Sequence, residues 1–434
     1  MEQINYQKNI PVESKYEVLV TGAGPSGICA AVAAARQGAK TAVVERYGVV
    51  GGNLTVGCVG PVMGCVGRGT MRDELTGLLS VGFNDKQGKV GRVHDTERAK
   101  YIIADFLHRE GVEVYLQTPV VDTIVENNCV KGIIAGKKEG LRAISAGIVV
   151  DATGDGDTAY FAGAAYRIGR ESDGLTQPVT LMYILAGVEE PAALTCLGEE
   201  DMVPFGGERF LEFTARCCKQ GILPENTQSV RLYKSNVPGE RLVNTTQANG
   251  IVPTDTEAVM RAELILRKQI EQVTDFLRRY VPGYQNCYIK TTASTLGVRE
   301  SRRFTGEYVL QDDDLQSGRR FEDVVVHDAN NVIDIHNPTA GGQAEGLAEV
   351  VKPYDIPYRC LIPETIDNLI LTGRCISGTH RAHASYRIMS ICMALGEAAG
   401  IAAALSSKSE VAPRRLDYKK VQRALIEKGA VLFE

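Results

Sequence analysis

The sequence predicts an α/β protein, a Rossmann-like dinucleotide-binding domain that carries an inserted α+β domain. Three observations predict it. A β-type run at 16–21 feeds the turn Gly22-Ala23-Gly24-Pro25-Ser26-Gly27, and an alanine-rich helical run follows. A second strand at 41–44 ends in Glu45. Two distant apolar strands, at 148–150 and 368–371, each lead into a Thr-Gly pair, Thr153-Gly154 and Thr372-Gly373.

The first unit has the spacing of a dinucleotide site. Gly22 permits a tight turn, Gly24 lets the backbone approach a pyrophosphate, and Gly27 lets the helix pack on the strand. The helix N-terminus offers free N–H groups and a partial positive charge to phosphates. Glu45 can accept from both ribose hydroxyls, and its charge disfavours a 2′-phosphate, hence NADP. This unit alone leaves FAD and NAD open.

The totals exclude several classes. A chain of 434 residues predicts two to three domains. A net charge of −5 with no strongly basic run argues against nucleic acid. No window of 18 apolar residues predicts a membrane span. Residues 1–15 are polar and lack an apolar signal core, so the expectation is a cytoplasmic protein. The eleven cysteines are scattered and none forms C-x-x-C, so no metal or iron–sulfur site is expected. Cys58 and Cys65 share a glycine-rich loop; inert thiols are preferred there over a redox pair.

In chain order, the loop after Glu45 is dense in glycine from Gly48 to Gly69. It reads as backbone passing close to a flat cofactor, with Gly51-Gly52-Asn53 against the pyrophosphate or ribityl chain. A short helix is predicted at 71–80, and a longer one from an Asp95 cap to about 110. Strands at 112–116, 120–126, 129–135 and 143–144 predict a small antiparallel sheet, with Val120 and Val121 placed against an adenine edge. The turn after 148–150 lies where ligands bind in such sheets.

From about 166 the βαβ alternation stops. A strand at 179–186 and helices at 208–219 and 257–280 read as an inserted substrate cap, the second helix capped by Asp255 or Thr256. The expected division is 1–165 and 331–434 for the cofactor domain and 166–330 for the cap. A final helical run at 386–405 carries Ala394, Gly396, Ala398, Ala399 and Gly400, suited to close packing on a sheet. Its start, 387–390, would aim N–H groups past Gly373, at the N1/C2=O edge if the ligand is a flavin.

Several further stretches complete a pattern. They are Asp151-Ala152-Thr153-Gly154-Asp155-Gly156-Asp157, Gly297-Val298-Arg299-Glu300-Ser301-Arg302-Arg303, Tyr354-Asp355-Ile356-Pro357-Tyr358-Arg359-Cys360, and Gly373-Arg374-Cys375-Ile376-Ser377 through Cys392-Met393-Ala394-Leu395-Gly396. With the βαβ unit, and in this order over nearly the whole chain, they resemble the bacterial FAD-dependent oxidoreductase family. That family is related at fold level to the fumarate reductase/succinate dehydrogenase flavoproteins and the heterodisulfide reductase flavin subunit.

The resemblance implies a Rossmann-like FAD-binding domain holding non-covalent FAD. Gly22, Gly24, Pro25, Ser26, Gly27 and Glu45, with Arg46 beside it, would hold the ADP half. Gly51, Gly52, Gly154, Asp155, Gly373, Arg374, Ile388 and Met389 would lie near the pyrophosphate and flavin. Ser390 stands where many relatives have proline, and the cluster cysteines of the heterodisulfide reductase subunit are missing.

The expected reaction is hydride transfer between a small organic substrate and flavin N5, in the dehydrogenase or ene-reductase direction. Flavin carries the redox step, so protein groups orient substrate and move a proton. Arg299 and Arg302 are the anion-clamp candidates, His380 and then His336 the proton carriers, and Tyr386 a hydrogen-bonding partner. A flavin monooxygenase is the alternative enzyme, ranked lower because Gly373-Arg374 replaces its usual Gly-Asp. A non-catalytic flavin sensor is the alternative outside enzymes.

Overall fold

The computed structural model describes residues 4–80, 82–83, 90–198, 202–342 and 348–433. Strand β1 (Val12–Thr21) leads through the glycine turn into helix α1 (Pro25–Arg36), and strand β2 (Thr41–Val44) returns parallel to β1. All four residues of β2 are buried, as in a parallel strand covered on both faces. Helix α2 (Thr96–Arg109) begins at Asp95, whose carboxylate accepts from the Glu97 and Arg98 N–H groups. Strand β3 (Glu113–Tyr115) follows, parallel to β2. Then come β4 (Val120–Glu126), β5 (Cys129–Lys137) and β6 (Gly140–Asp151).

Two expectations change here. The strand at 112–116 joins the parallel sheet instead of an antiparallel one. The runs at 143–144 and 148–150 are one twelve-residue strand, β6. Gly147, which reads as a break, sits where a Cβ would fall 2.9 Å from Ser407 Oγ. The glycine therefore serves close packing, not a turn. The first half of β6 pairs antiparallel with β5, while its length runs parallel to β1.

A separate antiparallel sheet forms from β7 (Tyr183–Ala186), β8 (Arg231–Lys234), β9 (Arg241–Asn244) and β10 (Tyr288–Thr292), in the order β8-β9-β7-β10. Between its strands lie α3 (Phe210–Lys219) and α4 (Thr256–Tyr280). Asp255 caps α4 by accepting from Glu257 and Ala258 N–H groups. Ala258, Ala262, Leu266, Ile270, Val273 and Leu277 form one apolar face of α4 and enter the same hydrophobic core as Tyr183 and Leu242.

Strand β11 (Leu369–Leu371) closes the parallel sheet against β6, giving β3-β2-β1-β6-β11. Thr21 lies beside Asp151, and Asp151 beside Leu371, so three strands end at one level. The predicted helical run at 386–405 is α6 (Met389–Ser409), and a separate helix, α5 (His380–Tyr386), precedes it. Ile388 between them is extended, with φ −71 and ψ 144, and caps α6.

The small residues of α6 meet α1 most closely, where a sheet was expected. A Cβ on Gly396 would fall 2.0 Å from the Ser26 carbonyl oxygen, and one on Gly400 2.1 Å from that of Ala30. By length and composition α6 matches a membrane span, yet 94% of its most apolar window is buried in this core.

Gly400→Ala should push α6 off α1 and cost roughly 1–3 kcal/mol, read from chemical denaturation. Glu397, also on α6, is buried and accepts the Met71 N–H at 2.8 Å; burial pushes its carboxyl up to about 7. The unfolded chain loses this proton near pH 4, so stability falls as pH rises from there through the folded value. Glu397→Gln should therefore be neutral near pH 4 and gain on the order of 3 kcal/mol at pH 8. Equal denaturation midpoints for the two proteins at pH 8 would refute this.

Candidate active site

A cleft of about 250 Å³ opens at the carboxyl ends of β1, β2, β6 and β11. The first turn contributes Gly22, Gly24, Pro25 and Ser26 to its wall. Glu45 and Arg46 line it from the end of β2, and Gly52 and Asn53 from the glycine-rich loop. Gly154, Asp155, Gly373 and Arg374 face them from the two Thr-Gly turns, and Met389 adds the first turn of α6. Val120 lines the cleft, whereas the Val121 side chain is 40% exposed, as strand alternation requires.

Three expected residues support the wall from behind. A Cβ on Gly27 would fall 1.8 Å from the Gly22 carbonyl oxygen. Gly51, at φ 113, donates its N–H to Ala23 O at 2.8 Å. Ile388 packs near Gly64.

The turn after β6 is built by Asp151. Its carboxylate accepts from the Thr153 N–H, the Thr153 hydroxyl and the Ala159 N–H, while burial pushes its pKa up to about 6. Asp155 is also buried, which alone would raise its pKa. Arg374 at 2.9 Å, Arg46 and the Ser301 hydroxyl at 2.7 Å overcome that and hold it below the usual range. Glu45 is buried, which raises its pKa, and one oxygen each accepts from the Ala23 and Tyr47 N–H groups. Each oxygen keeps a lone pair for a hydroxyl.

These residues fit a dinucleotide. A Cβ on Gly24 would meet no protein atom within 4 Å, so no packing within the protein demands glycine there. Arg374 Nη1, Arg387 Nε and Ser390 Oγ are buried without hydrogen-bond partners at the α6 end of the cleft. Tyr47 and Thr295 also line the cleft, joined by a 2.7 Å hydrogen bond across it. Sequence reasoning missed both; only the position of Tyr47 beside Glu45 and Arg46 could have flagged it.

The candidate catalytic residues separate into three groups. His336 and Arg299 belong to a cluster of polar side chains that meets the cleft at Arg387. Arg387 donates to Asp334 Oδ2 at 3.0 Å, and His336 Nε2 is 3.4 Å from the same oxygen. Burial, then Arg299, pushes His336 down to about 4. Burial, then Arg387, pushes Arg299 down to about 9. Gln177, for which the sequence offers no motif, joins this cluster by accepting the His336 backbone N–H at 3.1 Å.

His380 lies one layer away. Its Nδ1 is 2.8 Å from Glu300 Oε1, and the other oxygen of Glu300 accepts the Gln177 N–H at 3.1 Å. Arg302 and Tyr386 do not reach the cleft. Arg302 donates to Asp155 O and to Asp157 and stacks over Tyr160. The Tyr386 hydroxyl donates to the Ile376 carbonyl at 3.0 Å. Cys58 is buried in the second core and Cys65 bridges to Asn330, both as free thiols.

Residues 17–425 match the family described as FAD dependent oxidoreductase. Thiamine thiazole synthase from Pyrococcus horikoshii is 28% identical over 162 residues, 35% of this chain and 62% of that protein. Digeranylgeranylglycerophospholipid reductase from Picrophilus torridus is 27% identical over 160 residues, 33% of this chain and 40% of that protein. The chain thus spans less than two thirds of the length of these relatives. A solved geranylgeranyl bacteriochlorophyll reductase-like protein from Thermoplasma acidophilum is 16% identical with a TM-score of 0.49, covering 96% of this chain and 84% of that one. The family match takes in both Thr-Gly turns, the His336 cluster and α6: the chain belongs to the FAD-dependent oxidoreductase family, and FAD is its cofactor.

Proposed function

We propose that this enzyme moves a hydride between a small organic substrate and flavin N5, with the substrate at the end of the cleft beside Arg387. Arg387 carries this reading. It lines the cleft and also holds Asp334, the carboxylate facing His336. A proton-handling group thus stands one residue from the cofactor wall. FAD, when bound, supplies the two-electron centre. The Gly22 to Ser26 turn and Glu45 hold its ADP half, and Gly373, Arg374 and Met389 stand at its flavin half. The segment 166–330 acts as the cap, a division that the separate antiparallel sheet and second core support over residues 179–296, while Phe304 to Ala329 join the first core.

His336 is neutral at neutral pH because burial opposes its charge, so it can accept a proton from a substrate group or return one. Asp334 orients the ring. His380, fixed by Glu300, acts behind it as a positioning residue. The order of sequence motifs also supports a distant kinship with fumarate reductase flavoproteins.

Released flavin identified by chromatography tests the cofactor pocket, and anaerobic flavin bleaching by candidate substrates tests the reaction. His336→Asn should keep FAD and lower the bleaching rate roughly 100-fold or more. His380→Ala should keep FAD and lose less; a larger loss there would return the proton role to His380. Gly24→Ala should leave the melting temperature of the apoprotein essentially unchanged, because its backbone (φ −77) suits alanine and the Cβ meets nothing. The same variant should weaken FAD binding about tenfold or more, equivalent to ~1.4 kcal/mol or more. Unchanged FAD affinity would place the pyrophosphate elsewhere.

A further inference from the structure

We infer that a second cavity, between the C-terminal end of α1 and the middle of α6, binds a small primary amine, with the Glu397 carboxylate as its counter-ion.

This cavity measures about 270 Å³, and none of the residues lining it lines the cofactor cleft. Ala33, Met71 and Ile401 give it apolar walls. Glu397 also lines it and is 3% exposed. One carboxyl oxygen, Oε2, accepts the Met71 N–H at 2.8 Å. The other, Oε1, has no hydrogen-bond or ion-pair partner among the described residues. Nor is it sealed into the core, so the small exposure that Glu397 keeps is an acceptor oxygen opening on the cavity.

The other charged groups of the lining are committed elsewhere. Arg36 donates to both oxygens of Glu74, at 2.7 and 2.8 Å, and to Glu110 at 2.6 Å. Asp73 accepts the Gly69 N–H at 2.8 Å and lies 3.2 Å from Arg72 Nε. Lys428 is exposed, and no ion pair joins it to Glu397 among the described residues. Burial pushes the Glu397 carboxyl up to about 7 against the Met71 N–H and Arg36, and Glu74 and Asp73 add to the rise. The buried Cys29 thiol also faces it.

Above that pH the carboxylate is charged, buried and without a cation of its own, which is costly. Water would fill the open hydrogen bond and leave the charge uncompensated. An ammonium group supplies the donor and the charge together. No group of three or more potential metal ligands forms among the described residues, so an organic cation suits the site better than a metal ion. An alkyl or aryl body on the amine fits the walls at Ala33, Met71 and Ile401.

The test uses the FAD-loaded protein. Benzylamine, n-butylamine and putrescine are titrated by isothermal calorimetry, with benzyl alcohol, n-butanol and 1,4-butanediol as neutral counterparts. At pH 8 at least one amine should bind roughly tenfold or more tightly than its alcohol. Alkyl amines stay protonated from pH 6 to 8, as lysine does, so affinity should rise about tenfold over that range as Glu397 gives up its proton. Near pH 7, binding should release about half a proton, read from the heats in two buffers of different ionisation enthalpy. Glu397→Gln keeps the shape of the side chain and removes the charge. It should bind the amine roughly tenfold or more weakly and release no proton, while FAD content holds.

No binding by any of the three amines would overturn the inference. So would equal affinity for amine and alcohol, a flat pH profile, or an undiminished Glu397→Gln variant. The proton release is measured on the unmodified protein, so the inference stays testable if that variant misfolds.

Discussion

The contact between α1 and α6 is the constraint on which the rest depends. With Gly396 over Ser26 and Gly400 over Ala30, no side chain separates the helices. A helix from residues 389–409 is thereby fixed against the turn at residues 22–27, almost the full length of the chain away. The same approach brings Gly373, whose Cβ would touch Ser26 Oγ at 2.8 Å, against the first turn. Both halves of the cofactor wall are thus set by backbone-to-backbone packing. Such packing is stiff, because a methylene of extra volume cannot be absorbed. The cost is two glycines within an otherwise alanine-rich helix, each lowering its intrinsic propensity, which burial against α1 offsets.

The parts of the site that were legible in the sequence are those whose requirement is local. Gly22 needs φ 91, and a strand ending in Glu45 needs only its own period. The Asp95 and Asp255 caps act within three residues. What stayed hidden depends on distant partners. Tyr47 meets Thr295 only in the folded chain, and Gln177 gains meaning from His336 and Arg387. Arg302 and Tyr386 have the right chemistry for a substrate site, but folding commits them to Asp157 and to the Ile376 carbonyl. The break at Arg387 and Ile388 has no proline or glycine to announce it. Yet it is this break that starts α6 at Met389 and leaves Arg387 facing the cleft.

Two layers of buried charge surround the cofactor wall, and they differ in kind. In one, acids and bases are matched. Asp155 meets Arg374, Arg46 and Ser301, and Glu300 pairs with Arg303 and His380. Groups so paired hold geometry, because removing either partner would strand the other in a poor solvent for charge.

In the other layer Arg387 and His336 both face Asp334, and Arg299 donates to the Pro178 carbonyl. Gln177 Nε2 and Arg387 Nε are buried there without hydrogen-bond partners. An incomplete network of buried donors persists in a fold when something outside the chain completes it. The proposed place of chemistry follows the layer with the unpaired donors. That argument favours His336 over His380, although the sequence position of His380, between the Thr-Gly turn and α6, had made it the stronger choice. Proximity along the chain puts a residue near the cofactor; unspent hydrogen-bonding capacity decides what it can do there.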